Sequence, residues 1–592
     1  MVKEAPMPEP RQLAHARAQA SALLRELVRP LAAPWVKAAL YWLSLVSVLA
    51  VAASYLSVWT MGNWEMLTDP ALQNSDARTS IFPFHRYDRV PSLETDPIAE
   101  EMLTWVPLAV RLLYRVLVPL TDVHVAPKIV QALCVAIVLW AAAILARSRR
   151  AGIGAAVLLV FIVLHDWFAV YRLASGLPRA FGFPLFALWL AGALAAKPWV
   201  RRGATLASAV TYPSVMNLIL AAEGLYACRG LRQVALSVVL RRLKRYALLV
   251  FACVLLVLPA ALGDSQSGPV HTLAQAEREP AFSKAGRLGV LPFASPTDSL
   301  SDALIDPLRP RGQALVAPLA ERYAKDKDMS AVVLLGLILT IPLLSLTAPP
   351  WLALAFASGS VVLYALSRSF AFSLYSPERY YSFGMRMALM ALLLVILAQS
   401  FAFLRGRARR TARNFVAVAF ILLVWGMVGS GVVRKNGMTI DRRRDRALYE
   451  FIATLPKTVR IATHPMDGDG IPYYSARATM GSYETLQPWF VDSWRRQRAR
   501  TEDTLRALYA ADKGTILDYG RRHQVTHFLL DRRKYKKDAT KRSASFEPFS
   551  AFARELLVDT KPEDLFFRDV PDQAVVYRHD QWLVVEVARL AK

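Results

Sequence analysis

Three acidic stretches follow one another after the first apolar run of the chain. They are Gln73-Asn74-Ser75-Asp76-Ala77-Arg78, then Phe84-His85-Arg86-Tyr87-Asp88, then Glu94-Thr95-Asp96-Pro97-Ile98-Ala99-Glu100-Glu101. An ionised carboxylate in such a loop can take a proton from a hydroxyl that is about to attack. Arg78, Arg172, Arg179 and Arg379 lie at the ends of apolar runs, and a guanidinium offers a phosphate two parallel hydrogen bonds. His165-Asp166 directly follows another apolar run, a depth at which ionisable groups are costly enough to point to function. Together these types suit transfer chemistry on a phosphorylated substrate at a membrane surface, with Asp76 as base. Structural roles compete: a helix cap or turn for Asp76, interfacial anchors or ion pairs for the arginines, and an interfacial pair for His165-Asp166. Asp298, Asp302 and Asp306 add carboxylates to a later loop, and Trp59, Trp167, Tyr171 and Tyr375 read as an aromatic belt.

What must position these groups is a set of membrane helices. The chain has 592 residues, 55% of them hydrophobic, with apolar runs near Ala38 to Trp59, Ile129 to Ala146, Ala151 to Tyr171, Arg179 to Ala196, Tyr246 to Leu262, Ala331 to Leu346, Trp351 to Leu366, Arg386 to Leu404 and Phe415 to Val433. Runs of about 20 apolar residues read as membrane-spanning helices. The net charge of +26 is gathered in short clusters, such as Arg147/Arg149/Arg150 and Arg241/Arg242/Lys244/Arg245. Short basic loops stay cytoplasmic, so the charge reports topology rather than a nucleic-acid partner. Threading the runs through these anchors puts the N-terminus inside and Asp76, the loops 61–127, 263–329 and 367–384, and everything after Arg434 outside. Between Arg202 and Arg229 the chain must start and finish on the same side, which predicts a re-entrant pair of half-helices broken at Tyr212-Pro213.

Residues 1–37 read as a cytoplasmic arm, 38–434 as the membrane domain with an uncleaved first anchor, and 435–592 as an extracytoplasmic α/β domain. In that last part Asp441 to Leu455 and Thr501 to Tyr519 have helical character. Val459 to Thr463, Val525 to Asp531, Ala574 to Arg578 and Trp582 to Val587 have strand character. Cys134, Cys228 and Cys253 fall in or beside apolar runs, so no disulfide framework serves the outer domain. Asp467-Gly468-Asp469 reads as a polar turn, because Ala478 stands where a calcium loop needs its Glu. Phosphate-cradling glycine loops, His-Glu-x-x-His, Cys-x-x-Cys and Gly-x-Ser-x-Gly motifs are missing.

Asn74-Ser75-Asp76-Ala77-Arg78, Asp96-Pro97-Ile98-Ala99, Gly176-Leu177-Pro178-Arg179, Tyr212-Pro213 and Ser376-Pro377-Glu378-Arg379-Tyr380 resemble a group of poorly characterised bacterial membrane proteins. That group in turn resembles the GT-C type glycosyltransferases, the class of the protein O-mannosyltransferases and the aminoarabinose transferase of lipid A. The resemblance implies an α-helical polytopic fold of about 9–11 membrane helices, the re-entrant pair included. It implies transfer of a sugar from a polyprenyl-phosphate donor to an envelope acceptor, at the outer face of a bacterial inner membrane. Asp76 matches the class's first acidic position and His165-Asp166 its second, with Arg78, Arg172, Arg179, Arg379 and Tyr380 toward substrate. Ser75 departs from the pattern by standing where a second acidic residue often pairs with the first. The expected partners are the lipid bilayer, the lipid-linked donor and an envelope acceptor, with no nucleic acid; the cofactor is left open between none and a divalent metal, which no motif strongly indicates. A transporter or flippase of lipid-linked glycans and a non-catalytic envelope assembly protein are the alternatives.

Overall fold

This computed structural model describes residues 71–148 apart from 89, 152–228, 235–262, 267–287 apart from 284, 351–369, 377–406, 439–535, 546–592 apart from 559, and scattered positions between 53 and 69. The arm at 1–37, most of the run at 38–59, the runs at 331–346 and 415–433, Asp298, Asp302, Asp306 and Tyr375 lie outside them. The described chain is mostly helical, with a small mixed sheet near the C-terminus.

Strand β1 (Leu72–Asn74) leads into helix α1 (Ser75–Ile81), and α2 (Pro97–Thr104) and α3 (Leu108–Leu120) complete the first loop. Then come α4 (Ala126–Ala146), α5 (Gly152–His165), α6 (Trp167–Leu173), α7 (Gly182–Leu194), α8 (Pro198–Thr211), α9 (Pro213–Ala227), α10 (Leu236–Leu262), α11 (Trp351–Ser369) and α12 (Pro377–Gly406). Helix α4 is long and apolar enough to cross a membrane, and shorter apolar helices cover 155–164, 178–194 and 351–367 among the described residues. Leu133 and Trp140 of α4, Phe251 and Leu255 of α10, and Leu354 and Val362 of α11 face outward. Large apolar groups left outside in this number suit lipid better than water. Inside, Trp189 and Phe186 of α7 meet the Phe356 ring of α11 edge-on, at 5.2 and 5.1 Å. Helices α11 and α12 approach so closely that a Cβ on Gly384 would stand 2.2 Å from Ser360 Oγ, the kind of contact that only a missing side chain allows between packed helices.

The expected run Ala151 to Tyr171 is two helices rather than one. Asp166 ends α5 and caps α6, its Oδ1 accepting from Ala169 N at 2.8 Å, and a side-chain oxygen that satisfies an orphan amide starts a new helix where hydropathy alone sees continuity. The break at Tyr212-Pro213 is present, Tyr212 leaving the helical region at φ −149° and ψ 84°. Helices α8 and α9 have 14 and 15 residues, about 21 and 22 Å of rise against a hydrocarbon core of about 30 Å. Arg201 in the first turn of α8 and Glu223 late in α9 meet at 2.8 Å. The far ends of the two arms therefore return to one place, and the pair is an antiparallel hairpin with Tyr212 at its tip.

After these helices, β2 (Thr439–Asp441) pairs antiparallel with β1, Asn74 opposite Thr439. Helix α13 (Arg446–Thr454) follows, then β3 (Arg460–Thr463), β4 (Ala478–Thr479), α14 (Val491–Leu508), α15 (Lys513–His523), β5 (His527–Asp531), β6 (Val575–His579) and β7 (Trp582–Glu586). The sheet order is β4-β3-β5-β7-β6, parallel across the first three strands and antiparallel beyond. The single helix expected over Thr501 to Tyr519 is the end of α14 and the start of α15, because Asp512 caps α15 by accepting from Thr515 N at 2.8 Å.

Candidate functional site

Asp76 stands in the first turn of α1, one of the few places where a carboxylate meets free backbone amides and a favourable dipole. Asn74 holds it there: its Oδ1 accepts from Asp76 N at 3.1 Å, and its Nδ2 donates to Tyr171 O at 3.4 Å. The loop is thereby tied to α6, which carries Tyr171 and Arg172. Between Arg172 and Arg179 the chain reverses through Gly176, whose φ of +65° and approach to Pro127 leave no room for a side chain. Tyr114 closes that turn by donating to Gly176 O at 2.8 Å.

The reversal brings two guanidiniums to one carboxylate oxygen. Arg179 Nη2 donates to Asp76 Oδ2, Arg172 Nη1 lies 3.8 Å from the same atom, and Tyr171 donates its hydroxyl to it at 3.3 Å. The side-chain hydrogen bonds and ion pairs of Asp76 with described residues all use Oδ2, none Oδ1. Arg179 Nε and Arg172 Nε are buried without a hydrogen-bond partner among the described residues. Arg379 reaches the site from α12, donating to the Tyr212 hydroxyl at 3.3 Å, so the hairpin tip forms part of the wall. Burial raises the Asp76 pKa, but the Arg179 guanidinium, followed by Arg172 and Arg379, outweighs it and holds the carboxyl below its usual range. Asp76 is therefore ionised at neutral pH, among more positive than negative charge.

The other residues singled out from the sequence divide. Arg78 turns away: two positions along a helix is about 200° of rotation, and its Nη2 lies 3.9 Å from Asp469 Oδ2 in the C-terminal domain. Asp166 pairs with Arg386 at 2.7 Å. That pair is next door to the Asp76 cluster, since Arg386 and Arg172 lie 4.6 and 4.7 Å from the Phe168 ring centroid. The His165 and Trp167 side chains are outside the described set. Tyr380 accepts from Asn217 Nδ2 at 3.1 Å, beside Tyr212 and Arg379. Asp467-Gly468-Asp469 is not a plain polar turn: Asp467 and Gly468 close the short helix Pro465–Gly468 and Asp469 caps it, with Asp467 paired to Lys534 at 2.7 Å and Asp469 turned to Arg78.

Sequence reasoning missed what the C-terminal domain brings. Gln73 Nε2 donates to the Tyr473 hydroxyl at 2.8 Å, His85 Nε2 meets Tyr473 O at 2.9 Å, and Lys128 Nζ donates to Leu72 O at 2.9 Å. Glu101 accepts from Ser493 and Gln497, and Asp96 lies 3.5 Å from Arg500. Glu484, paired with Arg287 at 2.8 Å, is close enough to feel the charge of Asp76. The first loop is thus clamped between the helices that precede residue 407 and the C-terminal part of the chain. Tyr212 could have been found from its place at the predicted break. Among the described residues no group of three His, Cys, Asp or Glu side chains is placed to hold a metal ion.

No protein-family model matches the chain, and no curated protein matches it. Among solved structures it is similar to the archaeal oligosaccharyltransferase AglB from Archaeoglobus fulgidus, determined with an inhibitory peptide and a dolichol-phosphate. The TM-score is 0.42 and the identity 11%, over 87% of this chain and 72% of that one.

Proposed function

We propose that this chain is a membrane glycosyltransferase that moves a sugar from a polyprenyl-phosphate donor to an envelope acceptor, with Asp76 as general base. The observation that carries the reading is the charge imbalance at Asp76: two guanidiniums on one carboxylate oxygen, with buried donors still unsatisfied and Arg379 near enough to lower the same pKa. A buried donor without a partner costs about 1–3 kcal/mol, and a phosphate oxygen is the partner an arginine fork fits best. Arg172 and Arg179 hold the donor phosphate and, when the bond to the sugar breaks, stabilise the charge left on it. Asp76 Oδ1 takes the acceptor's proton. As the phosphate draws the two guanidiniums toward itself, Asp76 loses part of the charge that depresses its pKa and becomes the stronger base. Tyr171, Asn74 and Tyr212 position these groups, and the outward-facing apolar residues of α4, α10 and α11 suit a surround of lipid, from which such a donor would arrive.

Direct binding tests this. The full-length protein in lipid nanodiscs should bind a polyprenyl phosphate and not the corresponding alcohol, more weakly as salt rises. Arg172→Ala and Arg179→Ala should each weaken binding about 10- to 100-fold, the range of a lost charge-assisted hydrogen bond. Equal binding of phosphate and alcohol, or affinity unchanged in both variants, contradicts the reading.

A further inference from the structure

The outer domain has a second polar hollow, away from Asp76. A cavity of about 170 Å³ opens where β3 and β5 end and β7 begins, the edge of a parallel sheet at which loops diverge and ligands bind. Its wall includes Arg442, Asp445, Asp467, Arg533, Gln581 and Trp582. Each carboxylate there already has its cation or donor. Arg442 pairs with Asp445 at 2.9 Å, and Trp582 Nε1 donates to Asp445 at 3.1 Å. Lys534 pairs with Asp467 at 2.7 Å, and Arg533 grips Asp531 through Nε at 2.9 Å and Nη2 at 2.6 Å.

We infer that this cavity is a binding site for a saccharide, one sugar ring deep. The charges cancel, so the wall does not select an ion as the Asp76 cluster does. What it offers is carboxylate acceptors beside guanidinium and amide donors, and neighbouring ring hydroxyls, each donor and acceptor at once, satisfy both kinds together. Among the apolar lining residues Leu448 and Leu529 are buried, and Trp582, 9% exposed, keeps the edge that the C–H face of a ring would meet. The volume is below the roughly 300–1,000 Å³ of sites for drug-sized ligands, which suits one ring rather than an extended chain. The site lies near the loop that carries Asp76: Arg442 N donates to Ala71 O at 3.3 Å, and Tyr449 on the cavity wall is within electrostatic reach of Arg78. Saccharide binding here is independent of the transfer reaction and stands if that reading fails.

The test uses full-length protein in a detergent without a sugar headgroup. Saturation-transfer NMR is recorded with methyl α-mannoside, methyl β-glucoside and N-acetylglucosamine, with inorganic phosphate as competitor. The Arg533 side chain is half exposed and paired only at its own loop, so Arg533→Ala and Gln581→Ala leave the fold intact, which circular dichroism checks. At least one glycoside should bind, lose tenfold or more in affinity in one or both variants, and keep its affinity in Arg179→Ala. The inference is overturned if no glycoside binds, if both variants bind as the wild type does, if phosphate displaces the sugar, or if only Arg179→Ala abolishes binding.

Discussion

Asp76 and Asp469 are both partly buried carboxylates paired with arginine, yet their surroundings act on them in opposite directions. Asp469 lies 3.9 Å from the Arg78 guanidinium, accepts from Glu484 N at 3.0 Å and feels Arg287 at longer range, and its pKa is raised because burial outweighs those partners. Asp76 is also desolvated, but Arg179, Arg172 and Arg379 act on it together and its pKa falls. Desolvation is common to both; the number of cations is what differs. Asp469, with Arg78, ties the first loop to the C-terminal part of the chain, whereas the Asp76 cluster, with three arginines acting on one carboxylate, is where the proposed anion would bind.

Removing a cation from the crowded side should break the contrast, with the largest effect at Arg179. In membrane assays of donor turnover, Arg179→Ala should lower kcat/KM about 100-fold, the upper range for a charge-assisted hydrogen bond. Arg179→Lys should recover little of this, because an ammonium lacks the planar fork. The same substitution should move the pH profile. With Arg179 present the acid limb lies below the usual aspartate range, since the charged form is favoured. Without it burial gains weight and the limb moves to higher pH. A limb that stays in place in Arg179→Ala separates Asp76 from the titration.

A smaller effect is expected on the Asp469 side. Arg78 faces away from Asp76, so Arg78→Ala should lower kcat several-fold through loss of loop positioning while KM for the donor stays within twofold. An equal rise in KM would put Arg78 on the substrate after all. The smallest effect is at Glu101 in the joint between the first loop and α14. Burial raises the pKa of Glu101 against its bonds from Ser493 and Gln497, and that of Asp96 against Arg500. The folded state therefore holds these protons more tightly than the unfolded chain does. The contribution of these two groups to stability is greatest below the usual carboxylate range and declines as pH rises through the raised values. Glu101→Gln keeps the shape without the charge and should flatten that decline, raising Tm at neutral pH by about 2 °C.

Much of this was legible in the sequence where the signal is local. The hairpin break is a proline after an aromatic residue between two basic anchors, and four of the seven strands among the described residues announce themselves by β-branched and aromatic runs. Asp76, Arg172, Arg179 and Arg379 fall together because each ends an apolar run on the same predicted side. Asp166 was read as part of a continuous span because hydropathy averages over one capping residue. The clamp on the first loop was invisible for another reason. Gln73 and Tyr473 are 400 positions apart, and β1 and β2 are three residues each, too short to carry a strand pattern. Arg78 was placed with the other arginines because sequence proximity to Asp76 outweighed helical rotation.

The most direct test of the account is a paired transfer assay in membranes. Turnover of a radiolabelled polyprenyl-phosphate sugar is measured for the wild type and for Asp76→Asn, at matched abundance and with folding checked by thermal unfolding. Transfer by the wild type that falls about 10²- to 10⁴-fold in the variant, the range for loss of a general base, is the expected result. Equal transfer by the two proteins contradicts a role for Asp76, and absence of transfer by the wild type across a panel of donors contradicts the glycosyltransferase reading itself.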